Sequence, residues 1–100
     1  MFDTSPILST TETERFQKTL QELLPPYTVI LHNDDHHAMD YVVDALLKSV
    51  PSLPVGRAIA IMFEAHNLGR AVVITCPLEQ AEFYRDRLQS FGLGVTIERA

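Results

Sequence analysis

Residues 31–39 read L-H-N-D-D-H-H-A-M, and this bend decides the fold because the hydrophobic pattern changes across it. Before it, Tyr27–His32 is rich in β-formers and alternates, with Tyr27, Val29 and Leu31 on one face and Thr28, Ile30 and His32 on the other. After it, Met39, Val42, Val43, Leu46 and Leu47 recur at helical spacing until Pro51 ends the run. Working outward, Pro54 suits the first turn of a second helix whose face carries Ile59, Met62, Phe63 and His66. Gly69 supplies a left-handed terminator. Ala71–Cys76 is a nearly continuous apolar strand. Pro77 starts a third helix, with Leu78, Ala81, Tyr84, Arg85 and Leu88 on one side, and Gly92 closes it. Leu93–Glu98 is a final strand. The order strand, helix, helix, strand, helix, strand predicts a small α+β domain, its helices packed on one face of a three-stranded sheet.

The N-terminal side differs. Residues 1–11 hold Ser, Thr and Pro with no sustained period and read as disordered. Glu12–Leu24 places Phe16, Leu20, Leu23 and Leu24 on one helical face. A helix of that length is marginal alone, and Pro25-Pro26 stops it. The expectation is a mobile extension over residues 1–26 and one domain over residues 27–100.

Composition bounds the function. One hundred residues suffice for one modest core. With 46% hydrophobic and 21% charged residues, the balance is that of a soluble globular protein. A net charge of −5 and scattered basic residues argue against nucleic acid. No apolar run approaches a membrane span, and the N-terminus lacks the pattern of a secretory signal. Cys76 is the one cysteine, expected as a buried small hydrophobe in a reducing, cytoplasmic setting.

The polar bend itself admits several readings. His32, Asp34, Asp35, His36, His37 and His66 include enough candidate ligands for zinc, yet no spacing matches a known zinc motif. Catalysis would need a nucleophile beside a base. Cys76 lies in an apolar strand, no Ser or Thr stands in a glycine elbow, and adjacent carboxylates tend to point apart. An Asn or Asp before a helix also caps exposed amides. Capping does not explain His66, which is one turn from Met62 on an apolar helix face.

Taken together, Asn33-Asp34-Asp35, Met39 at a helix head, and Met62-Phe63-Glu64-Ala65-His66-Asn67-Leu68-Gly69-Arg70-Ala71 resemble the ClpS family, the N-degron adaptors of the ATP-dependent Clp protease. The family patterns are N-D-D-x-T-x-M and M-x-x-x-H-x-x-G-K-A, and the similarity runs from about Tyr27 to Ala100. The resemblance implies a non-enzymatic adaptor without cofactor or metal. It would bind substrates by a free N-terminal Leu, Phe, Tyr or Trp and deliver them to an AAA+ unfoldase of the ClpA or ClpC type. It also implies a monomer in the cytoplasm or an organelle stroma.

Carried over by position, Asn33, Asp34 and His66 would hold the substrate's α-ammonium. Met39, Val42, Met62, Ala65 and Leu93 would line the side-chain pocket. Met39 resembles the gate that excludes β-branched Ile and Val. Asp35 and His37 would stand at the rim, Asp35 partly capping the helix. Glu79 and Glu82, with Tyr84 and Arg85 nearby, match the unfoldase-docking region. The chain departs from the pattern at His37 (usually Thr), Ala65 (often Val) and Tyr84 (a Lys). Residues 49–54 carry an apparent extra residue, and the turn at residues 89–94 is shorter. The alternative implied by these departures is an unfoldase-docking domain with altered or lost degron specificity.

Overall fold

A computed structural model describes residues 10–100, with the side chains of residues 11–19 and 24–100. The expectations for residues 1–9, and for the side chains of Leu20 and Leu23, lie outside the described residues. The elements in order are α1 (Thr10–Leu23), β1 (Pro26–His32), α2 (Met39–Ser49), α3 (Val55–Leu68), β2 (Arg70–Pro77), α4 (Leu78–Ser90) and β3 (Val95–Arg99). Helix α1 begins earlier than expected, with Thr10 and Thr11 already helical. Its Phe16 is exposed, as is Leu24 just beyond its end.

The sheet order is β2-β1-β3, and both pairings are antiparallel. The central position of β1 explains its sequence. Val29, Ile30 and Leu31 are all buried, so burial in this central strand does not follow the expected alternation. Strand β2 carries an irregularity: Val29 pairs with Ile74 and Ile30 with Val72, leaving Val73 as the extra residue. A bulge reverses the side-chain alternation beyond it. Ala71, Val73 and Cys76 are therefore all buried despite the change of parity between 73 and 76.

Helices α2, α3 and α4 pack against this sheet. The core joins Val29 and Leu31 to Val42, Leu46, Ile61, Leu88 and Val95. Each such side chain, fully buried, contributes about 1.5–3 kcal/mol. The α3 face differs from expectation: Ala58, Ile61, Met62 and Ala65 are buried, while Ile59 and Phe63 are exposed. Both sets fit helical spacing, and the face carrying alanines lets the helix approach the sheet closely. On α4, Ala81 and Leu88 are buried and Tyr84 packs against the core, whereas Leu78 is exposed.

Two glycines end helices as expected. Gly69 (φ +94°) stops α3 with its amide bonded to the Ala65 carbonyl at 2.9 Å. Gly92 (φ +86°) follows α4. Strand β3 starts at Val95 rather than Leu93, because Gly92–Gly94 turns the chain and sends Leu93 into the core at 3% exposure.

Candidate functional site

Three connections meet at one end of the sheet: the bend after β1, the α3–β2 turn and the head of α2. The Asn33 amide donates to the Gly69 carbonyl at 2.9 Å, which fastens the bend to the end of α3. Since Gly69 can be left-handed without a steric penalty, this turn brings His66, in the last turn of α3, alongside Asn33 and Asp34.

Between these segments lies a cavity of about 240 Å³. It is lined by Asn33, Asp34, Asp35, His37, Met39, Val42, Met62, Ala65 and His66 among the residues expected from sequence. Three further wall residues were not expected: Leu31, His32 and Ala38. Leu31 was legible only as core, and His32 only as a candidate metal ligand. Its Nε2 instead lies 2.7 Å from Thr96 Oγ1 on β3. Leu93 is placed otherwise: it is buried in the core behind the site and is not part of the cavity wall.

The walls divide by chemistry. Val42, Met62 and Ala65 are buried and make an apolar floor, and Met39 stands 42% exposed at its edge. The same lining includes acceptors. Asn33 donates from Nδ2 to Asp35 Oδ1 at 3.3 Å, and its own Oδ1 accepts nothing among the described residues.

Asp34 is held firmly. Its Oδ1 accepts from the amides of His36 (2.7 Å) and His37 (3.1 Å), and its Oδ2 from the His37 ring at Nδ1. Burial alone would raise the Asp34 pKa. The amide of His36, the ring and amide of His37, and the His37 charge together outweigh it and hold the carboxyl below the ordinary carboxylate value. The expected helix cap by Asp35 is absent: Ala38 occupies the N-cap of α2 with no side-chain hydrogen bond, and Asp35 pairs with Asn33. Asp34 provides the local capping instead, but to the amides of the bend, as an Asx turn.

No three His, Cys, Asp or Glu side chains among the described residues gather to hold a metal ion. Cys76 is buried, and burial raises its thiol pKa, which keeps it protonated and a poor nucleophile.

The residues carried over for unfoldase docking sit on α4. Glu79 and Glu82 are exposed and flank a groove with Leu24, Pro25, Tyr27, Pro77 and Leu78. Tyr84 faces inward, and its neighbour Arg85 bonds Asp86 at 3.0 Å. No helix among the described residues is long and apolar enough to cross a membrane.

Comparison with known proteins gives a consistent result. The profile of the family described as "ATP-dependent Clp protease adaptor protein ClpS" matches residues 22–96. The ATP-dependent Clp protease adapter protein ClpS of Synechococcus elongatus is 50% identical over 80 residues, covering 80% of this chain and 84% of that protein. The protein of the same name from Gloeobacter violaceus is 47% identical over 88 residues, covering 88% and 95%. Among solved structures, Agrobacterium tumefaciens ClpS2 bound to L-phenylalaninamide superposes with a TM-score of 0.71 at 27% identity, covering 76% of this chain and 98% of that one. Fold and sequence agree: the chain belongs to the ClpS family of Clp protease adaptors.

Proposed function

We propose that this protein binds substrates by a free N-terminal hydrophobic residue and delivers them to the AAA+ unfoldase of a Clp protease. The observation that carries the reading is one cavity lined both by polar groups, Asn33, Asp34 and His66, and by apolar ones, Val42, Met62 and Ala65. At about 240 Å³ it lies below the roughly 300–1,000 Å³ of typical small-molecule sites, which suits one amino-acid side chain. An α-ammonium carries three donors and a positive charge and no acceptor, so it seeks oxygens and lone-pair nitrogens. Asn33 Oδ1 offers a free carbonyl, Asp34 a charge, and His66 a ring nitrogen that accepts when it carries no proton. A relative in the same fold, Agrobacterium ClpS2, binds L-phenylalaninamide, which has this amine and a side chain of this kind.

Magnitudes require both halves of the site. Burying a Leu or Phe side chain contributes about 1.5–3 kcal/mol. Hydrogen bonds to a charged group add about 1.5–3 kcal/mol each. The apolar half falls well short of the about 8 kcal/mol of micromolar binding, and the polar half reaches it only at the top of its range, before the cost of association is counted. Met39, at the edge of the floor, is the gate in this reading: its bulk leaves no room for a branch at the substrate Cβ.

The remaining assignments rest on the same family membership. Residues 1–26 form an extension used during hand-over, Glu79 and Glu82 on α4 face the unfoldase N-domain, and the protein acts as a monomer without cofactor in the cytoplasm or a stroma.

The test is fluorescence anisotropy with labelled peptides beginning with Leu or Phe, against N-acetylated copies. Acetylation removes the charge and two of the donors, so the free amines bind and the acetylated forms do not. Equal affinity for both forms would overturn the reading. A protein that bound the unfoldase N-domain but neither peptide would instead be the docking domain with altered specificity.

A further inference from the structure

The His37 ring is enclosed by three different segments. From its own bend, Asp34 Oδ2 accepts at Nδ1. From α2, the Tyr41 ring stacks on it with centroids 4.9 Å apart and planes 12° from parallel. From the α4–β3 turn, Gly92 lies so close that a Cβ there would stand 3.2 Å from Nε2. Tyr41 is itself fixed to that turn, its hydroxyl donating to the Phe91 carbonyl at 2.7 Å and its ring edge-on to Phe91. A side chain held on three sides is a positioned one, not a solvated loop residue.

What it positions is Asp34. A carboxylate has about four acceptor positions. Two amides and the His37 ring occupy three of them, leaving about one for anything else. Asp34 therefore acts on a cavity ligand mainly through its charge, and the neighbour able to cancel that charge is His37. Because a carboxylate only accepts, a neutral His37 carries its single proton on Nδ1 and leaves Nε2 as a lone pair beside Gly92. The side chain is 29% exposed, so solvent protons reach it. The other titratable groups around it are Tyr41 on α2, Asp35 on the rim, and His66 of α3 and His32 of β1 on the cavity wall. The α4–β3 turn presents no charge.

We propose that His37 is a positioning residue that holds Asp34 as an unneutralised anion at the cavity rim, and that protonation of His37 at Nε2 cancels this anion and releases an amine-bearing ligand. The inference rests on the reading of the cavity as an amine site. It makes ligand release respond to acid through a wall residue that acts on the ligand by way of Asp34.

The test uses the full chain, with His37→Asn and His37→Thr as two neutral replacements that retain a donor, and two readouts. The first is the ring ¹⁵N spectrum of the ligand-free protein. An Nδ1-protonated neutral His37 that loses this preference in Asp34→Asn is the expected result; an Nε2-protonated ring, or one indifferent to Asp34→Asn, overturns the proposal. The second is the affinity for a Leu-initiated peptide at about pH 7.5 and about pH 5.5, which bracket histidine titration. His66 is common to all proteins, so its share cancels in the comparison. The ratio of the two affinities is expected to be smaller in a folded His37 variant by roughly threefold to tenfold. An unchanged ratio with uniformly weaker binding indicates a merely structural role and overturns the proposal. Failure of the wild type to bind the peptide at either pH defeats the amine-site reading itself, and the ring spectrum then decides the His37–Asp34 pairing alone.

Discussion

Asp34 uses most of its hydrogen-bonding capacity inside its own bend, and that has a consequence for stability. Its carboxyl is held below the ordinary value, so the folded state binds this proton less tightly than the unfolded chain does. The stabilisation is present above the unfolded carboxylate value and is lost as pH falls through the folded one. Asp34→Asn should therefore lower stability near neutrality and flatten the acid limb of a stability–pH curve, measured by urea unfolding; an unaltered acid limb would show that the pairing contributes nothing. At Met39, the expected outcome of substitution by Ala is binding of peptides that begin with Ile or Val. Their continued exclusion in anisotropy would place the gate elsewhere. The bend was legible in sequence as a polar cluster, and the family resemblance alone joined His66 of α3 to Asn33 and Asp34. Its internal wiring was not: which carboxylate serves the backbone depends on where the amides of His36 and His37 point, and Asp34 rather than Asp35 receives them.

Among the elements, breakers and hydrophobic runs were legible, and faces less so. The prolines and glycines act locally, through φ and the missing amide, so helix ends at Gly69 and Gly92 follow from the residue alone. The α3 face could be read two ways, and contact with the sheet selected the one carrying Ala58 and Ala65. The bulge in β2 has no signature in its apolar run and comes from pairing with β1. Two substitutions probe this scale. Gly69→Ala places a Cβ on a left-handed residue, with no neighbour within 4 Å to clash. The cost is therefore conformational, about 1 kcal/mol, and displacement of the carbonyl that Asn33 bonds should weaken peptide binding as well. Ser49, wholly buried at the end of α2, has a hydroxyl without a hydrogen-bond partner among the described residues. Ser49→Ala removes an unsatisfied group and should stabilise the fold by about 1 kcal/mol in urea unfolding; a loss of stability would reveal a partner for that hydroxyl.

For the molecule as a whole, the sheet and the helices packed on it lie within residues 26–100, and the cavity within residues 31–66. Removing residues 1–25 is therefore expected to leave peptide affinity within about twofold while abolishing degradation of a Leu-initiated substrate by the reconstituted protease. Degradation at the full rate would remove the extension from hand-over. The sequence by itself determined the kind of domain, because the order of strand and helix periods, cut by Pro and Gly, admits few arrangements. It also determined which residue types surround the site. Tertiary structure decided what those residues do to one another. It buried Leu93 behind the cavity, turned Asp34 inward, and clamped His37 between Tyr41 and Gly92. The reason is physical: periodicity is a local property of the chain, whereas a hydrogen bond or ring contact between distant segments exists only once the sheet has brought them within a few ångströms of one another.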